Sequence, residues 1–172
     1  MVPPTSANRL ISNASLIKHP RCRFLIIDAP NDDNILRYAE VFEQFSVKNV
    51  VRVCEPTYKT EPLLDRGVAV HEMPFPDGEG PPPDVVAAWL DLVETVFPPR
   101  KEVTETIAVH CVAGLGRAPV LAAISLVECG LDPLDAVRRV REKRRGAINS
   151  RQLAFLEHYH PRARRRGGCT AM

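Results

Sequence analysis

The sequence predicts an α/β fold: a central, mostly parallel sheet flanked by helices, with a helical C-terminal half. Three observations carry this. Thr106-Ile107-Ala108-Val109 is a short, continuous apolar run, the pattern of a parallel strand covered on both faces. Strand-like and helix-like segments alternate before it, and three helical patterns follow it. The chain has 172 residues, 45% of them hydrophobic, enough to bury a core without disulfide staples.

The elements follow in order. Arg23 to Ile27 reads as a buried strand, and Asp32 to Phe45 carries Ile35, Leu36, Ala39 and Phe42 at helical spacing. Val47 to Cys54 and Val68 to Phe75 are β-branched enough for two more strands, separated by the polar, proline-containing stretch EPTYKTEP. These segments make a βαβ-like opening. Pro82 and Pro83 suit the start of a helix running to about Phe97, where Pro98 and Pro99 stop it. After the central strand, Ala118 to Glu128, Leu134 to Lys143 and Arg151 to Tyr159 read as helices, the first two ended by Gly130 and Gly146.

Charge and cysteine usage exclude several classes. A net charge of +2 does not by itself predict a nucleic-acid partner. The N-terminal residues lack the apolar core of a signal peptide, and no apolar run approaches the roughly 20 residues that span a bilayer. Cys22, Cys54, Cys111, Cys129 and Cys169 are scattered, without the spacing of a disulfide framework or a zinc site, which fits a reducing compartment and no metal centre. Cys22 and Cys129 read as packing residues.

The strongest motif is HCVAGLGR, from His110 to Arg117, between the apolar strand and a helical pattern. Composition alone gives on the order of 0.02 chance occurrences of His-Cys-x5-basic, so chance is a poor explanation. A glycine-containing loop entering a helix turns successive backbone N–H groups toward one point, and the helix N-terminus adds positive potential for an anion. Gly114 and Gly116 make such a loop conformationally accessible. A thiolate at Cys111 is stabilised by the same field, the condition for a nucleophile. Arg117 can offer a planar fork to two oxygens of a tetrahedral anion, and phosphate fits best. Taken alone, Cys111 reads as a small buried residue and Arg117 as a solvated first-turn arginine; the combination favours chemistry. His110 either fixes the loop by hydrogen bonding or is a satisfied core histidine, and the residues leave both open. The departing alkoxide or phenoxide needs a proton, for which Asp77 is the candidate, in the proline- and glycine-bounded segment Met73-Pro74-Phe75-Pro76-Asp77-Gly78.

HCVAGLGRAPVL, together with VRVCE, PF-x-DG and KRRGAINSRQL, resembles the phosphatases of regenerating liver, prenylated members of the dual-specificity branch of the cysteine-dependent phosphatases. The resemblance covers about Arg23 to Pro161 and the tail. It implies a phosphocysteine mechanism in which Cys111 attacks phosphorus, Arg117 and the backbone of Val112, Ala113, Gly114, Leu115, Gly116 and Arg117 hold the phosphoryl oxygens, and Asp77 protonates the leaving group, with no cofactor. It implies slow turnover, because Ala118 stands where most cysteine-dependent phosphatases carry a Ser or Thr hydroxyl. It implies a reversible Cys54–Cys111 disulfide as a redox switch, for which a thiolate with a nearby resolving thiol is chemically suited. The chain departs from the family's usual pattern at Met73, where Trp is usual, and at Pro76, which replaces the first acid of an Asp-Asp pair.

The sequence ends Cys169-Thr170-Ala171-Met172, a prenylation box whose final Met favours farnesylation of Cys169 by a prenyltransferase. One lipid binds a membrane marginally, and Arg162, Arg164, Arg165 and Arg166 supply a second signal on an anionic surface. Residues 1–161 thus read as a phosphatase domain and 162–172 as a basic lipidated tail. They place the chain on the cytoplasmic face of the plasma membrane or endomembranes, and in the cytosol or nucleus when unprenylated. A second basic run, Arg138, Arg139, Arg141, Lys143, Arg144 and Arg145, reads as a solvated helix face in slight preference to a phosphoinositide- or membrane-facing patch.

The expected function is a protein-tyrosine or dual-specificity phosphatase acting on a phosphorylated protein or phosphoinositide. The rival is a binding module: the resemblance implies engagement of paired-CBS magnesium transporters through the Cys111 pocket. Self-association remains open, and arsenate reduction or sulfur transfer on a similar loop leaves Asp77 and the lipid box unexplained.

Overall fold

The computed structural model describes residues 6–162, and their side chains from residue 9 onward. Five strands form one sheet in the order β1-β2-β5-β3-β4: β1 Ser15–His19, β2 Cys22–Ile27, β3 Val47–Arg52, β4 Ala69–Glu72 and β5 Thr106–His110. All pairings are parallel except the β1–β2 hairpin at one edge. The central place of β5 agrees with its continuous burial.

Strand alternation sorts the core into two layers. Phe24, Ile26, Val51, Ile107 and Val109 face one side, under α4 (Pro83–Val96), α5 (Arg117–Glu128), α6 (Pro133–Lys143) and α7 (Ser150–Glu157). Leu25, Ile27, Val50 and Ala108 face the other, under α2 (Ile35–Gln44) and the short α3 (Glu61–Leu64), with α1 (Ser6–Asn13) beside α2. Helix α5 is buried from Ala118 to Val127, so it is the axis of the helical half. Trp89 of α4, fully buried, donates its indole N–H to Ser125 Oγ at 2.8 Å and locks α4 to α5.

Three elements lie outside the sequence expectation. A helix and an edge strand, α1 and β1, precede the strand expected first; β1 was hidden because SLIKH is an edge strand with partly exposed positions. The stretch between β3 and β4 contains α3, entered through Pro62. Strands β3 and β4 stop at Arg52 and Glu72, which frees Val53-Cys54 and the segment from Met73 to form loops. Among the described residues no helix is long and apolar enough to cross a membrane.

Candidate active site

The loop from Cys111 to Gly116 joins β5 to α5, and its carbonyls are held one after another. The Cys111 carbonyl accepts from His110 Nδ1 at 3.1 Å, and the Val112 carbonyl from the Ala29 N–H at 2.9 Å. The Ala113 and Gly114 carbonyls accept from Arg144 Nη2 and Nε, both at 2.9 Å, and the Leu115 carbonyl from the Ile148 N–H at 2.8 Å. In a trans peptide the N–H of the next residue points opposite to the carbonyl. Five carbonyls tied outward therefore turn the N–H groups of residues 112–116 the other way, and among the described residues these donors have no partner. Successive backbone N–H groups on one side of a loop, left without a protein partner, have the form of a nest that can receive an anion.

Glycine is required at the tightest point. Gly114 has φ +66°, and a Cβ there would stand 2.5 Å from Arg144 Nη2 and 2.8 Å from the Ile27 carbonyl. Cys111 lies at the floor, 3% exposed, with Arg117 and the buried Ala118 in the first turn of α5. Arg117 Nη1 donates to the carbonyls of Val53 and Phe75, both at 3.3 Å. Its Nε is buried without a hydrogen-bond partner among the described residues, and stands 3.6 Å from Asp77 Oδ1. An unpaired buried guanidinium N–H beside five unpaired backbone donors is a second mark of an anion site.

His110 is fully buried. Its Nε2 lies 2.7 Å from the Tyr58 hydroxyl, and burial pulls its pKa down from 6.5 to about 4. The neutral ring consistent with these contacts carries its proton on Nδ1, donates to the Cys111 carbonyl, and accepts from Tyr58. Tyr58 in turn is held by Arg52, whose guanidinium lies over its ring at 4.6 Å and pairs with Glu72. A chain of contacts thus runs from Glu72 through Arg52, Tyr58 and His110 to the Cys111 loop.

Asp77 lies on the loop after β4. Its side chain is 76% exposed, its Oδ1 accepts from the Gly78 N–H at 2.9 Å, and a Cβ on Gly116 would lie 3.3 Å from the same oxygen. Met73 and Phe75 anchor this loop by burial. Helix α7 ties its far end: Asn149 Nδ2 donates to the Gly78 carbonyl at 3.1 Å and Gln152 Nε2 to the Glu79 carbonyl at 3.3 Å. The same two residues form the capping box of α7, so one sequence feature starts a helix and holds a loop. A cavity of about 340 Å³ between Cys54, Pro74, Phe75 and Arg117 adjoins the site.

Arg52 and His110 are register partners on β3 and β5, so Cys54 and Cys111 emerge at the same edge of adjacent strands. Both are free thiols, and burial pushes the Cys54 thiol up, opposed by the positive charge of Arg117. Arg162 is held against the domain, with Nη1 2.8 Å from Asp91 and its backbone N–H donating to Glu128 at 2.7 Å. Arg164, Arg165, Arg166 and Cys169 lie outside the described residues.

Arg144 corrects the expectation of a solvated basic face. It is 8% exposed, bridges the Ala113 and Gly114 carbonyls and pairs with Asp28 at 2.5 Å. Arg141 likewise turns inward to the Ala147 and Ile148 carbonyls, at 2.9 and 2.6 Å, while Arg138 is exposed. Tyr58, Arg144, Asn149 and Gln152 support the site without being singled out by the sequence. The available signal was KRRGAINSRQL, whose Asn-x-x-Gln spacing marks a helix start but not what else it holds.

The protein-tyrosine phosphatase family pattern matches residues 41–160. A protein tyrosine phosphatase type IVA A from Dictyostelium discoideum is 48% identical over 159 residues, covering 92% of this chain and 93% of that one. The PRL-1 phosphatase of Drosophila melanogaster is 47% identical, covering 87% of this chain and 84% of that one. Among solved structures, a protein tyrosine phosphatase from Leishmania major superposes with a TM-score of 0.76 at 41% identity, over 86% of this chain and 99% of that one. A matched family pattern over most of the chain, together with relatives of this identity, settles the matter: the chain belongs to the protein tyrosine phosphatases, among the type IVA members.

Proposed function

We propose that Cys111 is the nucleophile of a two-step phosphomonoester hydrolysis, with the loop N–H groups and Arg117 holding the phosphoryl oxygens. The carrying observation is that the N–H groups of residues 112–116, on the loop that begins at Cys111, and Arg117 Nε have no hydrogen-bond partner among the described residues. In the first step the Cys111 thiolate attacks phosphorus, the ester P–O bond breaks, and the Asp77 carboxylic acid gives its proton to the departing oxygen. In the second, Asp77 as carboxylate takes a proton from water, the hydroxide oxygen bonds phosphorus, and the P–S bond breaks to release phosphate and the thiolate. The proximity of Asp77 to Gly116 and Arg117 supports this role. Ala118 offers no hydroxyl to the leaving thiolate, which supports a slow second step.

Phosphotyrosine-like protein monoesters are the proposed substrates, with phosphoinositide headgroups as the competing class. We further propose that residues 162–172 form a tail farnesylated at Cys169, which with Arg164, Arg165 and Arg166 holds the enzyme at an anionic cytoplasmic membrane face. Arg162, neutralised by Asp91 and Glu94, contributes little to that attraction. Cys54 is proposed as the thiol that traps oxidised Cys111 as a disulfide, supported by their emergence from adjacent strands. A second reading is a protein-binding surface, supported by Val112 and Leu115, 62% and 41% exposed on the Cys111 loop; the family resemblance suggests a paired-CBS transporter as its partner.

A burst-phase assay of the reduced protein with an aryl phosphate, trapping phosphocysteine, tests the catalytic reading. A stoichiometric burst with slow release is expected, absent in Cys111→Ser and with faster release in Ala118→Ser. Lack of Cys111-dependent phosphate incorporation would overturn the enzyme mechanism and leave the binding reading.

A further inference from the structure

At the end of α5 remote from the phosphate loop, three side chains distant in sequence meet. His19 and Cys22 are the closing pair of the β1–β2 hairpin, directly opposite across its Pro20-Arg21 turn. Cys129 caps the C-terminus of α5. The Cys22 and Cys129 sulfurs lie 3.9 Å apart, and a His19 ring nitrogen completes a triangle whose ligand atoms all lie within 4.8 Å of one another. Sequence spacing could not reveal this, because Cys129 comes more than a hundred residues after the hairpin.

We propose that His19, Cys22 and Cys129 form a binding site for a thiophilic cation of the zinc class, with an open fourth position. Two thiolates on one tetrahedral zinc, with Zn–S bonds of about 2.3 Å, stand roughly 3.8 Å apart, so the sulfurs are already at the separation the ion needs. A sulfur and an imidazole nitrogen on the same ion stand roughly 3.5 Å apart, so the half-buried His19 closes by about 1 Å. His19 Nδ1 accepts from the Arg21 backbone N–H at 3.1 Å, and ligation through that atom exchanges this hydrogen bond for a metal bond. Cys22 is 1% exposed and fixes the floor, while Cys129 is half-buried and lines, with Arg21, Phe97 and Glu128, a cavity of about 520 Å³. That cavity gives entry and room for a water as the fourth ligand. Binding releases two thiol protons to solvent and leaves two thiolates that neutralise a divalent ion.

The twelve residues of α5 separate this site from Arg117 by about 18 Å, so the ion would staple the hairpin to the helix without entering the phosphoryl chemistry. The two mixed thiol and imidazole clusters are distinguishable, since Cys54, Cys111 and His110 lie at the other end of the sheet and helix.

Cobalt(II) is the probe, added to the reduced full chain carrying Cys54→Ser and Cys111→Ser so that the catalytic thiols cannot contribute. One equivalent of cobalt is expected, with sulfur-to-cobalt charge-transfer absorption and the d–d bands of a tetrahedral site, displaced by zinc. Adding His19→Ala or Cys129→Ser should weaken binding by more than about tenfold. His19 lies at a half-exposed hairpin end, so His19→Ala keeps the test valid if the Cys129 variant does not fold. Cobalt affinity unchanged in both variants, or charge-transfer absorption absent from the parent, would overturn the proposal. Recovery of a Cys22–Cys129 disulfide in place of metal from the protein held with zinc would overturn it too.

Discussion

The Cys111 loop, proposed to hold the nucleophile, and the Asp77 loop, proposed to hold the acid, meet at the same cleft but are built on different terms. Each carbonyl from Cys111 to Leu115 has a donor of its own, supplied by β5, the segment after β2, α6's end and the segment before α7. The Asp77 loop is anchored by the burial of Met73 and Phe75 and by two side-chain amides of α7, and its carboxylate stays exposed. A site for an anion must exist before the anion arrives, whereas an acid needs only to reach the leaving group once substrate is bound. The difference teaches that binding and proton transfer can be damaged separately.

Cys111→Ser should separate them most sharply: turnover falls by about 10⁴-fold or more while the cradle remains, checked by steady-state kinetics beside anion binding. Arg144→Ala should come next. It removes the donors of the Ala113 and Gly114 carbonyls, costing about 1 to 3 kcal/mol in urea unfolding and weakening phosphate binding; the half-exposed Asp28 carboxylate is left to water.

His110 gives a pH signature on the same side of the comparison. Its folded pKa, about 4, lies below the ordinary 6.5 because burial disfavours the charged ring. Above pH 6.5 the site is neutral folded or unfolded and stability is full. As pH falls toward 4 the unfolded chain takes a proton that the folded site refuses, so up to about 3 kcal/mol is lost across that window. Urea unfolding at pH 7.5 and 4.5 should show this loss in the parent and a smaller one in His110→Gln; equal losses would mean that His110 is not held neutral.

Asp77→Asn should lower kcat/KM and the burst rate by about 10²-fold for an alkyl or phenyl leaving group and much less for nitrophenyl, whose oxygen departs without a proton. Equal effects on both substrates would remove Asp77 from the acid role. Asn149→Ala is expected to be smallest, about 1 kcal/mol of stability from the lost helix cap, with a few-fold fall in kcat as the acid loop loosens.

How much of this could be read from the chain depends on how local the cause is. The strand–loop–helix around Cys111 was legible because its pattern is contiguous: a buried strand, then a cysteine, two glycines and an arginine within eight residues. Helices α4 to α6 were legible through a proline start or a glycine end, with Gly130 and Gly146 at φ 103° and 79°. What escaped was assembled at long range. Nothing around Arg144 distinguishes it from its charged neighbours on α6; its burial is decided by Gly114, thirty residues away. Tyr58 sits in a stretch that reads as a loop, and only the parallel pairing of β3 with β5 brings it to His110. Strand β1 draws its order from β2 and from Lys143, whose carbonyl accepts from the Ser15 hydroxyl, not from an apolar pattern of its own.

The most direct test of the central claim, that the Cys111 loop is ordered by its own carbonyl donors and not by the Asp77 carboxylate, is the affinity for tungstate measured by calorimetry in three reduced proteins. Arg144→Lys keeps the charge but cannot bridge both loop carbonyls, and the account predicts a loss of affinity of at least about tenfold there and none in Asp77→Asn. Equal weakening in both variants, or undiminished affinity in Arg144→Lys, would contradict it.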